Sequence, residues 1–106
     1  MAEAPKAYQQ FVTQYPAVGA AYEQLGDAAM AAGPLDRKVQ RLIKLGMAIA
    51  ARQQGGTHAQ VRAALKQGAT KEELYQVALL GITTLGFPAA NTGMCWIRDV
   101  LEPNEG

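Results

Sequence analysis

The chain has 106 residues, a net charge of +1 and one cysteine, so we expect a single domain without an intramolecular disulfide or a multi-cysteine metal site. No Lys/Arg-rich run is present, which argues against nucleic acid and anionic membranes as partners. Charged residues make up 18% of the chain, against about 25% in typical domains. This shortage of polar surface indicates that another subunit covers part of the protein.

The first six residues are polar and no apolar stretch follows them, so we expect no secretory signal. No run of about 18 uncharged apolar residues occurs anywhere, which predicts no membrane-spanning helix. Together with the single cysteine, these features predict a cytoplasmic protein. We expect neither a metal nor a cofactor.

Gly and Pro residues divide the sequence into about six predicted helices, and no segment alternates apolar and polar residues as a strand would. The first helix is predicted over 6–14 and the second over 16–32. Pro16 suits the first turn of the second helix, where its missing N–H costs nothing. Gly33-Pro34 is a typical helix end. The sequence therefore predicts an all-α domain.

The third predicted helix has Asp36 as its N-cap and is apolar over 42–51 except for Lys44. A helix that is apolar nearly all round is normally buried on most sides. The run Gln-Gln-Gly-Gly at 53–56 is expected to end it.

Three further helices follow. Thr57 is the predicted cap of a fourth helix over 59–67. Thr70-Lys71-Glu72-Glu73 is a capping box that begins the fifth helix. Gly86-Phe87-Pro88 interrupts that helix, and a sixth is predicted over 89–101.

Three stretches carry a resemblance to a known family: Leu35-Asp36-Arg37-Lys38, the segment 61–74, and Gly86-Phe87-Pro88-Ala89-Ala90. They resemble the core of the carboxymuconolactone decarboxylase family, which has the alkylhydroperoxidase D-like fold. In that family a Leu-Asp-x-Lys helix start, an H-x-R-A-A-L-x-x-G-A-T-x-E-E segment and a G-F-P-A-A turn recur. The resemblance covers roughly residues 34–97. It implies about six helices around a central antiparallel pair, the third and fourth, and a homotrimer or homohexamer.

Peroxidatic members of this family carry a glutamate twelve residues before a C-x-x-C-x-x-x-H motif. The resemblance aligns the glutamate with Arg41, the two cysteines with Gln53 and Gly56, and the histidine with Gln60. Peroxide reduction of this kind needs a reactive thiolate and a second, resolving thiol, and its proton relay needs groups that titrate near pH 7. The aligned residues supply neither. The carboxylate and histidine that decarboxylase-type members use in this region are also missing.

The start of the fourth helix is the candidate ligand-binding site. Free N–H groups and the helix dipole favour a carboxylate or a phosphate there, and glycines allow a ligand to approach the backbone closely. Arg41 either anchors such an anion or pairs with Asp36 or Glu72 on the surface. The alternative for the whole segment is a flexible loop whose glycines only turn the chain. The residues concerned are Gln53, Gly55, Gly56, Thr57 and Gln60.

His58 is the only histidine and the one weak catalytic candidate. It lies two residues before Gln60, about 200° around a helix, so the alternative is a partly exposed histidine that points elsewhere. Cys95 lies between Met94 and Trp96, which favours a buried, inert thiol over a displaced peroxidatic one. Core or subunit-contact positions are expected for four aromatic residues: Trp96, Tyr8, Tyr15 and Tyr22.

Two classes of function remain open. The residues favour a non-catalytic, homo-oligomeric protein that binds a small ligand or acts as an accessory subunit. The alternative is an enzyme, either a hydroperoxidase-like (peroxiredoxin-type) antioxidant protein or a lactone decarboxylase that uses non-standard residues. A purely structural oligomer is a third interpretation.

Overall fold

A computed structural model describes residues 6–103 of the chain, and over that range all regular structure is helical. The predicted all-α class is confirmed. Six of the helices in this range correspond to the predicted ones, and the additional helix is a single turn. No helix in the described range is long and apolar enough to cross a membrane. The helices are α1 (Lys6–Gln14), α2 (Pro16–Ala31), α3 (Arg37–Ala50), α4 (Gln54–Lys66), α5 (Lys71–Leu80), α6 (Ile82–Leu85) and α7 (Phe87–Leu101).

Two helix starts are capped as the sequence predicts. The Asp36 carboxylate accepts a hydrogen bond from the Val39 N–H at 3.0 Å at the start of α3. At the start of α5, the Glu73 N–H donates to Thr70 Oγ1 at 3.1 Å, and the Thr70 N–H donates to Glu73 Oε1 at 2.8 Å. Each such cap stabilises its helix by about 1 kcal/mol.

The junction between α3 and α4 differs from the predicted one. Arg52 turns the chain with a φ of +60°, and Gln53 is the N-cap of α4. Gly55 and Gly56 therefore lie inside the first turn of α4, and the prediction that Thr57 caps this helix is wrong. The Thr57 N–H instead donates to the Gln53 carbonyl at 2.9 Å, which closes the first turn.

The breaks after α5 also fall earlier than predicted. Gly81 ends α5, and α7 begins at Phe87 rather than Ala89. Gly86 has a φ of +96° and supplies the sharp turn before α7. Pro88 then falls in the first turn of α7, where its missing N–H costs nothing.

The core lies between α3, α4, α5 and α7. Helices α3 and α4 make the most extensive interhelical contact, and a short turn makes them antiparallel, as expected. Helix α7 also approaches α3 closely, since a Cβ built on Gly93 would lie 2.6 Å from Ile49 Cγ2. The buried side chains at the centre are Leu45, Ile49, Val61, Ala64, Leu74, Ala78 and Ile97.

Helices α1 and α2 form a hairpin whose main packing is between its own two helices. In α2 only Gly19 is buried, and its Cβ position lies 2.6 Å from Val12 Cγ1. The Tyr8 hydroxyl donates to Glu23 at 3.2 Å and joins the helices a second time. The hairpin has five large exposed apolar side chains, which are Phe11, Tyr15, Val18, Tyr22 and Leu25.

The core interpretation of Tyr15 and Tyr22 is therefore wrong, because both side chains are more than half exposed. Their assignment as subunit-contact residues stays a prediction. Tyr8 is half-buried against the hairpin itself.

Candidate functional site

The α3–α4 junction brings together the four positions that the sequence comparison singled out. Arg41 Nη1 donates to Gln60 Oε1 at 3.3 Å, and both residues are half-buried. Gln53 lies against Gly56, because a Cβ built on that glycine would be 2.9 Å from Gln53 Oε1. Gly56 and Gln60 are about one turn apart on α4. The four residues thus form one cluster, which we call the junction cluster.

Arg41 is half-buried and pairs with a residue of α4. Its guanidinium hydrogen-bonds to the amide of Gln60, whereas Asp36 uses its carboxylate to cap α3 and Glu72 is exposed on α5. The prediction of a surface pair between Arg41 and Asp36 or Glu72 is therefore wrong. The contact with Gln60 places one positive charge beside the second turn of α4.

The first turn of α4 is an electropositive end of a helix. The Gln53 side chain makes no capping hydrogen bond, and the turn contains no acidic residue. The unsatisfied N–H groups and the macrodipole give such an end roughly half a positive charge. Arg52 precedes the turn, and nothing lies within 4 Å of a Cβ built on Gly55. A carboxylate or phosphate can therefore approach these N–H groups.

Thr57 is the one buried polar residue in the core of the described chain. It is fully buried, and its hydroxyl has no hydrogen-bond partner among the described groups. A buried hydroxyl left unpaired costs about 1–3 kcal/mol. Thr57 follows Gly56 in the first turn of α4. A hydrogen bond between its hydroxyl and another polar atom would remove this cost.

His58 contacts a different helix from the junction cluster. Its Nε2 lies 3.0 Å from Asp99 Oδ2 on α7, whereas Gln60 contacts α3 through Arg41. This divergence is the one that helical spacing predicts, and the imidazole is partly exposed as expected. Asp99 was not found from the sequence, because it lies 41 positions away and no local pattern joins the two residues.

Cys95 is exposed, so the prediction of a buried thiol is wrong. Ile97 and Gly93 are both buried and lie two residues from it on α7, about 200° around the helix. Cys95 therefore points away from the core. Arg98 Nη1 lies 3.9 Å from its sulfur. In the described range, no three His, Cys, Asp or Glu side chains are close enough to hold a metal ion.

A separate apolar groove of about 500 Å³ lies between α3, α5 and α6. Gly46, in its wall, is about 140° around α3 from Arg41, so the groove and the junction cluster occupy different faces of that helix. We call it the α3–α5 groove. Sequence reasoning missed it, because the apolar α3 was expected to be buried on most sides. Its walls include Val39, Leu42, Ile43, Val77, Leu80 and Leu85.

Glu73 is the only charged residue that lines the α3–α5 groove. The hydrogen bond from the Thr70 N–H, followed by that from Lys38, lowers the pKa of the Glu73 carboxyl below its ordinary value. Lys38 Nζ lies 3.0 Å from Glu73 Oε2. The groove wall therefore contains no unpaired charge.

These features define an all-α domain with a central antiparallel helix pair and an electropositive helix start at their junction. A profile of the carboxymuconolactone decarboxylase family matches residues 16–99, which is most of the chain, and the chain belongs to this family. All three motif stretches identified from the sequence lie within the match. No curated protein matches the chain at a significant level.

Proposed function

We propose that this family member binds a small anionic ligand at the junction cluster and does not carry out thiol-based peroxide chemistry. The observation that carries the proposal is the composition of the cluster, in which Arg41 hydrogen-bonds to Gln60 and Gln53 lies against Gly56, about one turn away on α4. Amides and a backbone glycine neither form a thiolate nor exchange protons near neutral pH. The amides do present hydrogen-bond donors, and Arg41 adds a positive charge.

Three properties of the site support a carboxylate or phosphate as the ligand. The N–H groups at the start of α4 have no capping side chain. Arg52 precedes the first turn in the chain, and Arg41 places a positive charge beside the second turn. In the same turn, the buried Thr57 hydroxyl lacks a hydrogen-bond partner. An anion that bound here would receive charge-assisted hydrogen bonds, which are stronger than neutral ones.

The ligand-binding proposal is tested by titrating ¹⁵N-labelled protein with inorganic phosphate and following backbone amide shifts. We expect the amides of Gly55 and Gly56 to shift in a saturable way. Arg41→Gln should weaken binding about tenfold or more, because a hydrogen bond to a charged group contributes about 1.5–3 kcal/mol.

Lys66→Gln is the matched control. It removes the same charge at the opposite end of α4, about 18 Å from the first turn, and should leave the phosphate affinity within about twofold. Equal weakening by both substitutions would show only a general charge effect. That result, or the absence of shifts at the two glycines, would contradict the proposal.

The alternative of a peroxidase is favoured by one observation, the exposure of the Cys95 thiol on α7. A peroxide-consumption assay with cumene hydroperoxide and dithiothreitol decides the matter. We expect the same rate for the unaltered chain and for Cys95→Ser, because Cys95 lies on α7, apart from the junction cluster with which the family's peroxidatic motif aligns. Turnover that Cys95→Ser abolishes would contradict the binding proposal.

A lactone decarboxylase would need an acid and a base at the junction cluster, whose members supply neither. The proposal further includes self-association as a homotrimer or homohexamer, for which the low charged fraction and the exposed hairpin give support. A cytoplasmic location and the lack of a cofactor remain predictions.

A further inference from the structure

We propose that the apolar face of the α1–α2 hairpin of one copy docks into the α3–α5 groove of a second copy. This inference rests on the self-association in the proposed function and assigns the two surfaces that meet. Both surfaces are apolar, and within one described chain neither covers the other.

Helix α2, together with its N-cap residue Tyr15, carries its large exposed apolar residues in one stripe. Tyr15, Val18, Tyr22 and Leu25 follow one another at intervals of three, four and three residues, the spacing that keeps side chains on one face for contact with another helix. Their side chains are between 51% and 67% exposed. We call this set the hairpin stripe, and it is about 15 Å long.

The α3–α5 groove matches the stripe in length and chemistry. Its wall on α3 runs from Val39 to Ala50, about 16 Å along the helix. Ile43 and Leu80 are 41% and 65% exposed on its two sides. The stripe contains no charged residue, and Glu73 in the groove is already paired with Lys38. Docking therefore removes no unpaired charge from water.

The apolar area is sufficient for a specific complex. With about half of each side chain exposed, and aromatic side chains of ~150–250 Å², the stripe together with Phe11 exposes on the order of 500 Å². This is at the upper end for the surface of a monomer. If the groove wall loses a similar area, one joint buries about 1,000 Å², the lower limit of a specific interface. In a closed ring each copy takes part in two such joints.

The hairpin of the same chain is not the occupant, because Gln40 fixes how it leaves the domain. Gln40 Nε2 donates to the carbonyl of Met30 at 2.9 Å and to that of Leu35 at 2.7 Å. These bonds tie the end of α2 to the first turn of α3. Folding the hairpin back into its own groove would break both bonds, whereas a second copy fills the groove with both intact.

Sedimentation equilibrium on three full-length variants tests the inference. Leu25→Glu introduces a charge into the stripe, and Leu80→Glu introduces one into the groove. Both side chains are exposed in a single chain, so each variant should fold, as circular dichroism and thermal unfolding will verify. Each should weaken self-association at least about thirtyfold, the effect of losing a central contact of 2 kcal/mol. Ala20→Glu, about 180° from the stripe on α2, is the matched control and should associate normally.

Mixing the two variants distinguishes stripe-in-groove docking from stripe-to-stripe pairing. A Leu25→Glu chain keeps an intact groove, and a Leu80→Glu chain keeps an intact stripe. The mixture should therefore associate at concentrations at which neither variant associates by itself. Failure of the mixture to associate up to millimolar concentration would overturn the inference, as would full association of Leu80→Glu.

The outcomes also separate this inference from the proposed function. Oligomers that persist in both glutamate variants would overturn the docking surfaces and leave self-association standing. If the unaltered chain is a monomer, both the docking surfaces and the proposed self-association are overturned. Neither result changes the phosphate titration, which reports on the junction cluster alone.

Discussion

The Glu73 carboxylate makes two polar contacts and also lies in the wall of a groove. It closes the capping box with Thr70, pairs with Lys38 across to α3, and lines the α3–α5 groove. The bonds from Thr70 and Lys38 stabilise the ionised form and so lower its pKa in the folded chain. The capping box was predictable because its partners are three residues apart. The bond to Lys38 was not, because 35 residues separate the pair.

The lowered pKa of Glu73 predicts an acid-dependent loss of stability. In the unfolded chain the carboxyl titrates near its ordinary value of 4.5. Above that pH the ionised carboxylate stabilises the fold fully, and this contribution is lost as the pH falls through the lower, folded-state pKa. Glu73→Gln should therefore narrow the difference in urea stability between pH 7 and pH 3.

Glu72→Gln is the control for this prediction, since it removes the same charge from the adjacent, exposed position outside the capping box. It should reproduce little of the effect. An identical pH dependence for Glu73→Gln and the unaltered chain would show that these bonds do not couple protonation to folding.

At the scale of helices, the close approach of α3 and α7 depends on a missing side chain. Gly93 is buried, and an added Cβ would meet three carbons of Ile49 at 2.6–3.1 Å. Ile49 is itself almost fully buried, so it has little room to move. The two helices would have to separate to admit a methyl group.

Gly93→Ala should therefore lower the free energy of unfolding by about 1–3 kcal/mol, as overpacking does, despite the higher helix propensity of alanine. Gly26→Ala in α2 is the matched substitution, because nothing lies within 4 Å of its Cβ position. It should raise stability by about 0.5–1 kcal/mol. Urea denaturation of both variants measures the contrast, and a stabilised Gly93→Ala would contradict the packing described here.

Element boundaries were predictable where a local signal decided them. Pro16, Asp36 and Thr70 each set a helix start that the structure confirms. The start of α4 was not predictable in this way, because two adjacent glycines ordinarily indicate a break. In the fold, a Cβ built on Gly56 would lie 2.9 Å from Gln53 Oε1 and 3.6 Å from the Cβ of Ala48. Packing of this turn against α3 overrides the weak helix propensity of glycine.

For the molecule as a whole, the sequence predicted the all-α class and the family, because both follow from helical periodicity and from motifs contained in short segments. It did not predict which helices lie outside the core. A stripe at intervals of three and four residues has the same pattern whether it faces the interior of its own chain or a neighbour. The exposure of Tyr22 and Leu25 therefore became visible only in the fold.

The exposed position of Cys95 has a practical consequence for any study of assembly. It is the only cysteine in the sequence, so each chain can form one interchain disulfide at most. Air oxidation can therefore link two molecules through α7 but can never extend to a third. Any species larger than a pair that survives in a non-reducing denaturing gel must be held by something other than sulfur.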